Sequence, residues 1–259
     1  MPFGLRNAAA TFQRVMDNIF THQEGVITYL DDILIGTKTE TSHKELVKTT
    51  LDKLHKEGLD INLDKCDFEK RKISFLGHII SENNLQPNTK KIEAIEKFQT
   101  PKTVREIKRF TGMINFYHRH IKNCASILAP LHEATKNKSK LQKIKWNDNL
   151  EEAFQNAKNA LSEAASLTFP TQDSELTLTT DASNIAIGAA LNQKERDISK
   201  PISFFSNKLK THQSRYSTYD RELLAIYQAI KHFEYILEAR EFKIFTDHKP
   251  LINAMQMKN

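Results

Sequence analysis

The sequence predicts a mixed α+β chain with more than one folded unit, and three observations carry that expectation. Near the start, Val26-Ile27-Thr28-Tyr29 and Ile33-Leu34-Ile35 flank an acid pair, Asp31-Asp32, and Gly36 closes the second run, which is the pattern of a hairpin with acids at its tip. Between residues 87 and 161, apolar side chains recur at helical spacing. From Glu175 onward the order becomes three strands, a long helix and another strand. A chain of 259 residues can bury more than one core.

The elements follow in order. Residues 8–20 read as a helix, with Phe12, Val15, Met16, Ile19 and Phe20 on one face. After the hairpin, Ser42-His43-Lys44-Glu45 has the capping-box pattern, Leu46, Val47, Thr50, Leu51 and Leu54 supply the stripe, and Gly58 stops the helix. Residues 64–80 read as short strands, one at 65–68 and one at 73–80, with Phe75-Leu76-Gly77 as a turn. Thr103-Val104-Arg105-Glu106 is a second capping box; Val104, Ile107, Phe110, Thr111, Ile114, Tyr117 and Ile121 form its buried stripe, and Phe116 and His118 are assigned to the core beside Tyr117. Residues 137–145 read as a solvated linker, and Trp146-Asn147 opens a helix bearing Ala153, Phe154, Ala157, Ala160 and Leu161. Pro170 and the polar 171–174 mark a boundary. Residues 176–180, 185–191 and 201–206 are then strands, 217–237 a helix and 241–246 a strand.

Composition narrows the function classes. With 39% apolar residues the chain is globular, and seven Gly and seven Pro exclude a low-complexity protein. Cys66 and Cys124 have no CxxC partner, so neither a zinc site nor a disulfide framework is indicated, and a reducing, intracellular compartment fits. No apolar run reaches the length of a membrane span. The net charge of +6 is modest, but its distribution is informative. Residues 89–122 hold nine Lys or Arg against three Glu, and residues 136–145 add five Lys and no acid, which leaves the rest of the chain net negative. A basic middle between two acid-bearing regions suits a protein that grips phosphate in one place and metal in others.

The acids are spaced informatively. Two carboxylates on a tight turn repel each other, and a divalent cation between them relieves that repulsion; magnesium suits hard oxygen ligands. Asp181 ends the first of the later strands, Glu222 lies 41 residues on in the first turns of the helix, and Asp247 follows by 25 at the end of the fourth strand. If the first and fourth strands lie side by side and parallel, Asp181 and Asp247 meet at their carboxyl ends, where Glu222 can reach them from the helix.

The opening Met1-Pro2-Phe3-Gly4-Leu5-Arg6-Asn7-Ala8-Ala9-Ala10-Thr11-Phe12-Gln13-Arg14-Val15-Met16-Asp17, then Tyr29-Leu30-Asp31-Asp32, Lys65-Cys66-Asp67-Phe68, Phe75-Leu76-Gly77-His78-Ile79-Ile80 and Pro130-Leu131 occur in that order. Thr180-Asp181-Ala182-Ser183, Glu222-Leu223-Leu224-Ala225 and Thr246-Asp247-His248-Lys249-Pro250-Leu251 complete the set. Together they closely resemble the reverse transcriptase and ribonuclease H segment of Pol polyproteins from gypsy-type LTR retrotransposons, over nearly the whole chain. Ala9 stands where that family usually has Pro, and Thr111 where it often has Leu.

The resemblance implies a partial reverse-transcriptase palm at 1–86, a basic thumb-like segment at 87–135, a connection or linker at 136–170 and an incomplete ribonuclease H-like α/β domain at 171–259. It implies Mg2+, or Mn2+, on Asp31 and Asp32 and on Asp181, Glu222 and Asp247. Phe3, Gly4, Gln13 and Tyr29 would line the nucleotide site, Phe75, Leu76 and Gly77 would grip the primer, and Arg105, Lys108 and Arg109 would meet the duplex. Partners would be deoxynucleoside triphosphates, a template-primer duplex, an RNA-DNA hybrid and the other Pol domains, in a cytoplasmic particle or the nucleus. The family places one palm carboxylate upstream of these residues and a fourth ribonuclease H carboxylate downstream. A segment cut at both ends, weak or inactive by itself, is therefore expected, and a nucleic-acid-binding remnant without chemistry is the alternative.

Overall fold

The computed structural model describes residues 5–196 and 198–256. Its internal contacts divide the chain into two units, Met1–Phe75 and Leu76–Asn259.

The first unit opens with α1 (Ala8–Ile19), followed by β1 (Val26–Tyr29) and β2 (Asp32–Ile35), an antiparallel pair in which Val26 faces Ile35 and Tyr29 faces Asp32. α2 (Glu40–Lys56) follows. Met16, Phe20 and Leu54 are buried, and Phe12, Ile19, Val26, Ile33 and Leu59 pack on them, so one face of the hairpin rests on both helices. Gly25 closes the base of the hairpin at φ +82°; a Cβ there would lie 2.6 Å from the Gly36 carbonyl oxygen. That position therefore excludes any side chain.

Two sequence expectations shift in this unit. The N-cap of α2 is Thr39 rather than Ser42: Thr39 is extended, as a cap must be, and its Oγ1 accepts the Ser42 N–H at 3.2 Å. Ser42 is already helical. Residues 65–68 form no strand, because the Asn62 side chain accepts the Asp64 N–H at 3.1 Å and winds Leu63–Lys65 into a 3₁₀ turn. β3 (Lys72–Phe75) ends the unit.

The second unit starts with Leu76 and Gly77 at φ +46° and +79°, leading into β4 (His78–Ser81) and its antiparallel partner β5 (Asn84–Pro87). A helical layer follows: α3 (Thr89–Glu96), α4 (Val104–Phe116), α5 (Cys124–Thr135) and α6 (Asp148–Ser162). The second capping box forms at its expected place, Thr103 Oγ1 accepting the Glu106 N–H at 3.3 Å. Ile107, Phe110, Ile114, Leu131, Phe154 and Leu161 make one continuous core, with the Phe110 and Phe154 rings 4.5 Å apart between centroids. α6 shares that core with α4 and α5, and β6 (Leu167–Thr168) returns the chain to β5.

The remaining elements are β7 (Glu175–Ala182), β8 (Ala186–Glu195), β9 (Ile198–Lys208), α7 (Thr218–Leu237), β10 (Phe242–Phe245) and α8 (Lys249–Gln256). Their sheet runs β10-β7-β8-β9, with β10 parallel to β7 and the other pairs antiparallel. Ala229, Phe233 and Leu237 of α7 cover Leu176, Leu178, Leu191 and Ile202. α5 is tied to β9, the Ala125 N–H donating to Ser206 Oγ at 2.9 Å. Buried Gln193 knots the entry to the sheet: its Oε1 accepts the Thr171 N–H at 3.0 Å and its Nε2 donates to the Phe169 carbonyl at 3.0 Å.

One imidazole pair stands out, with His120 buried and His78 of β4 half-buried. His78 and His120 stack with ring centroids 5.2 Å apart, and the Nδ1 of each meets a backbone carbonyl, Leu76 at 3.1 Å and Ala165 at 3.0 Å. Burial first, then the charges of His78, Arg119 and His118, holds His120 down at about 4 against an ordinary 6.5. Between those values the unfolded chain binds the proton and the folded chain does not, so stability is complete above the upper value and drains as pH falls toward the lower. We expect His120→Phe to flatten the acid limb of the unfolding midpoint, by roughly 2 to 3 kcal/mol at most; equal acid sensitivity in both proteins would contradict this.

Candidate functional site

The first acid pair sits on a turn fixed from beneath by Gln13 of α1. Gln13 Oε1 accepts the Leu30 N–H at 2.6 Å, and its Nε2 donates to the Thr28 carbonyl at 3.1 Å, Thr28 Oγ1 at 3.3 Å and Asp17 Oδ1 at 2.8 Å. Leu30 is held at φ +50°, a conformation that costs a non-glycine residue energy and persists where surroundings enforce it. Asp31 completes the two-residue turn, and Asp32 opens β2 opposite Tyr29. Strand alternation directs Val26, Thr28 and Ile33 toward the helices, and leaves Ile27, Tyr29 and Asp32 on the other face. Both carboxylates are exposed, as is Tyr29. Gln13, expected at the nucleotide, spends its carboxamide on the hairpin; Phe3 and Gly4 lie outside the described residues.

The second set converges through sheet register. Thr179 and Phe245 are the last registered pair of the parallel ladder; Asp181 lies two residues on within β7, and Asp247 lies two residues on in a bend just past β10. Glu222, in the second turn of α7, is buried, and its carboxylate accepts the Ala182 N–H. Burial raises its pKa above the ordinary 4.5, Asp247 raises it further, the Ala182 bond lowers it, Asp181 raises it, and His248 lowers it. Glu222 Oε2 and His248 Nδ1 are buried without hydrogen-bond partners. Among the described residues no group of three or more His, Cys, Asp or Glu stands at metal-ligand spacing. Glu222 thus feels the charge of both aspartates, which are themselves exposed.

The basic helix face is also as expected in part. Arg105, Lys108 and Arg109 of α4 are all exposed. Gly112 and Phe116 continue the same face, and Phe116, assigned to the core from sequence, is 54% exposed. Helical geometry explains the correction: Phe116 falls in line with Arg105, Arg109 and Gly112, whereas Phe110, Ile114 and Tyr117 turn inward. His118 is half-buried rather than a core residue. Tyr117 is 3% exposed, and its hydroxyl donates to the Gly77 carbonyl at 2.9 Å. Gly77 is bare for a packing reason, since a Cβ would sit 3.1 Å from the Phe116 ring. Leu76 beside it is exposed, and Phe75 is half-buried at the end of the first unit.

Sequence reading missed one neighbour of the acids, His248, and the positioning role of another residue, Gln13. His248 follows Asp247 directly and was legible only as part of the Thr246-Asp247-His248 string. The positioning role of Gln13 left no signal, because it depends on which strand backbone passes over α1.

The described residues thus hold a hairpin bearing two acids, a helical layer with a basic face, and a sheet whose neighbouring parallel strands lead toward two more acids beside a helical third. Comparison with known proteins gives the family. Residues 1–80 match the family described as reverse transcriptase (RNA-dependent DNA polymerase), and residues 146–244 match the RNase H-like domain found in reverse transcriptase. The chain is 40% identical over 255 residues to a retrovirus-related Pol polyprotein from transposon 297 of Drosophila melanogaster, covering 97% of this chain and 23% of the relative. It is 35% identical over 260 residues to the transposon Tf2-3 polyprotein of Schizosaccharomyces pombe, covering 98% of this chain and 19% of that one. A foamy viral protease-reverse transcriptase in complex with dsDNA superposes with a TM-score of 0.81 at 19% identity, covering all of this chain and 54% of that one. A foamy viral protease-reverse transcriptase in complex with RNA/DNA hybrid gives 0.79 at 20%, covering 94% and 33%. The chain thus carries reverse transcriptase and RNase H-like domains, its curated relatives named here are transposon Pol polyproteins, and it spans about a fifth to a quarter of the length of those relatives.

Two expectations test this geometry. Replacing Gln13 with Ala should free the turn, seen as faster amide exchange at Leu30 by at least ~10-fold while the rest of α1 stays protected; unchanged exchange would show that the clamp is not needed. Because the folded pKa of Glu222 is raised, its deprotonation destabilises the fold as pH rises through that value, and the penalty is absent in acid. Glu222→Gln should therefore raise the unfolding midpoint near neutral pH by a few degrees, and the gain should disappear below about pH 4. A variant less stable than the parent at neutral pH would refute the coupling.

Proposed function

We propose that this chain contributes two catalytic centres to a Pol polyprotein, one for RNA- and DNA-templated DNA synthesis and one for cleavage of RNA in RNA-DNA hybrids. The observation that carries the reading is the parallel pairing that ends at Thr179 and Phe245, two residues before Asp181 and Asp247, with buried Glu222 feeling the charge of both. The donor set fits a hard divalent cation, Mg2+ or Mn2+, because it is all carboxylate and leaves Glu222 Oε2 unpaired in a buried position. Such an ion, when bound, supplies Lewis-acid stabilisation and an activated water.

The chain's own residues do the rest. Asp181 and Asp247 offer solvated oxygens at the strand ends, and Glu222, fixed by the Ala182 N–H, offers the inner one. In the first unit Asp31 is the leading metal-binding residue, Asp32 stands adjacent, and Tyr29 shapes the surface that meets the deoxynucleoside triphosphate. Phe75-Leu76-Gly77 would lie along the primer strand. Arg105, Lys108 and Arg109 point into solvent from one helix face and would neutralise duplex phosphates, with bare Gly112 letting that helix approach a groove. In this reading residues 1–86 are palm, 87–135 thumb, 136–170 the connection and 171–259 the ribonuclease H domain.

Titration with Mn2+ should broaden resonances around Asp181, Glu222 and Asp247 selectively, and Asp181→Asn should abolish that pattern. Broadening scattered evenly over exposed carboxylates would sink the metal assignment. In a Pol polyprotein carrying these residues, Asp31→Asn should remove primer extension by at least ~100-fold and leave hybrid cleavage intact, and Asp181→Asn should do the reverse. Loss of both activities in either variant would contradict two separate centres.

A further inference from the structure

The lysine-rich segment between α5 and α6 is built into the helix that carries the basic face. Its backbone runs against the first turn of α4: the Val104 N–H donates to the Gln142 carbonyl at 3.0 Å, the Arg105 N–H to the Lys140 carbonyl at 2.9 Å, and the Ile144 N–H to the Lys102 carbonyl at 3.0 Å. Thr103 and Lys143 form an antiparallel bridge, and Trp146 Nε1 donates to the Pro101 carbonyl at 2.5 Å. Ile144 packs on the helical core. These bonds occupy N–H groups that a helix start ordinarily leaves unpaired. The segment is therefore a fixed collar on α4, not the solvated linker that its composition suggests.

The collar decides where its charges go. Lys138, Lys140, Lys143 and Lys145 are exposed, and none forms an ion pair among the described residues. Of the flanking carboxylates, Glu106 accepts the Lys102 N–H at 2.6 Å, and Glu133 is shared by Lys136 and Lys208. Backbone partners across such a bridge lie about 5 Å apart, so Lys140 and Lys143 stand beside Arg105 and Lys102. Arg109 follows Arg105 by about one helical turn, roughly 6 Å. Unpaired cations thus continue from the exposed face of α4, past its N-terminus, and onto the collar.

We infer that residues 138–145 form a second phosphate-contacting element, which extends the duplex footprint of α4 by a sequence-independent clamp on the backbone. The inference rests on the nucleic-acid reading of α4 given above and adds partner-contacting residues to it. A phosphate backbone fits better than an acidic protein segment, because backbone bonds set the collar beside the cation-bearing first turn of α4, and the only exposed apolar side chain of the collar is Leu141 at its tip.

The test is the salt dependence of binding of the full chain to a defined RNA-DNA hybrid, comparing the parent with a variant carrying Lys138→Gln, Lys140→Gln, Lys143→Gln and Lys145→Gln. A charge-matched control replaces Lys48, Lys56, Lys65 and Lys70, all exposed in the first unit, by Gln. Each lost phosphate contact lowers the slope of log K against log salt by about 0.9 for duplex, so the collar variant should lose about 2 to 4 from the slope and bind at least ~10-fold more weakly near physiological salt. Its thermal midpoint should be unchanged, because backbone atoms make the collar. Equal losses in collar variant and control would show that only net charge matters, and an unchanged slope in the collar variant would place the segment outside the footprint; either result overturns the inference. So would poly-glutamate displacing the hybrid from the parent, and not from the variant, at equal charge concentration, because the collar would then prefer an acidic polypeptide. A parent chain that binds no duplex at all would instead remove the underlying reading of α4.

Discussion

Parallel pairing of β10 with β7 is the constraint on which the later part of the chain depends. Strands that run the same way end at the same edge, so Asp181 and Asp247, each two residues past the Thr179–Phe245 pair, are led to one edge despite 65 intervening residues. The crossing helix α7 cannot avoid that edge, because its apolar residues Ala229, Phe233 and Leu237 must cover Leu176 and Leu178. Its first turns are thereby held beside the strand ends, and Glu222 with them. The hydrophobic core does the positioning, and the electrostatic cost accumulates at the rim, where the buried carboxylate is pushed toward its protonated form.

The hairpin of the first unit reaches a similar end by a different route. Among the described residues β1 and β2 pair only with each other; they are braced by the helix beneath, through a carboxamide that bonds to the turn on one side and the strand on the other. A glycine at the base and a leucine at positive φ at the tip set the reversal of the chain. In both places the aspartates are exposed at a turn or near a strand end, and packed helices fix the elements that carry them.

Much of this was legible in the residues. The β-branched runs around Asp31-Asp32, the stripe of Val104 to Ile121, and the three-strand, helix, strand order each had periodicity and punctuation that agreed, and the parallel pairing that the acid spacing required is present. Local chemistry misled where a competing partner existed in space. Ser42 lost the cap to Thr39, and Asn62 turned the chain where residues 65–68 looked extended. Phe116 is an aromatic within an apolar neighbourhood of sequence, but one helical turn separates the wet face from the dry one. The lysine segment read as linker because composition reports solvent exposure and says nothing about where a backbone finds its hydrogen bonds. The roles of Gln13 and His248 were hidden for the same reason, being properties of tertiary approach.

The central claim is that acids remote in sequence share one electrostatic environment at the edge of the β7 and β10 strands. Site-resolved carbon NMR titration of the Glu222 carboxyl, without divalent metal, measures that coupling most directly. The account requires Glu222 to titrate above the ordinary glutamate value and to move back toward it in Asp247→Asn, the larger of the two charge effects, and less in Asp181→Asn. A Glu222 that titrates like an isolated glutamate, and ignores both substitutions, would mean that the three acids do not form a site.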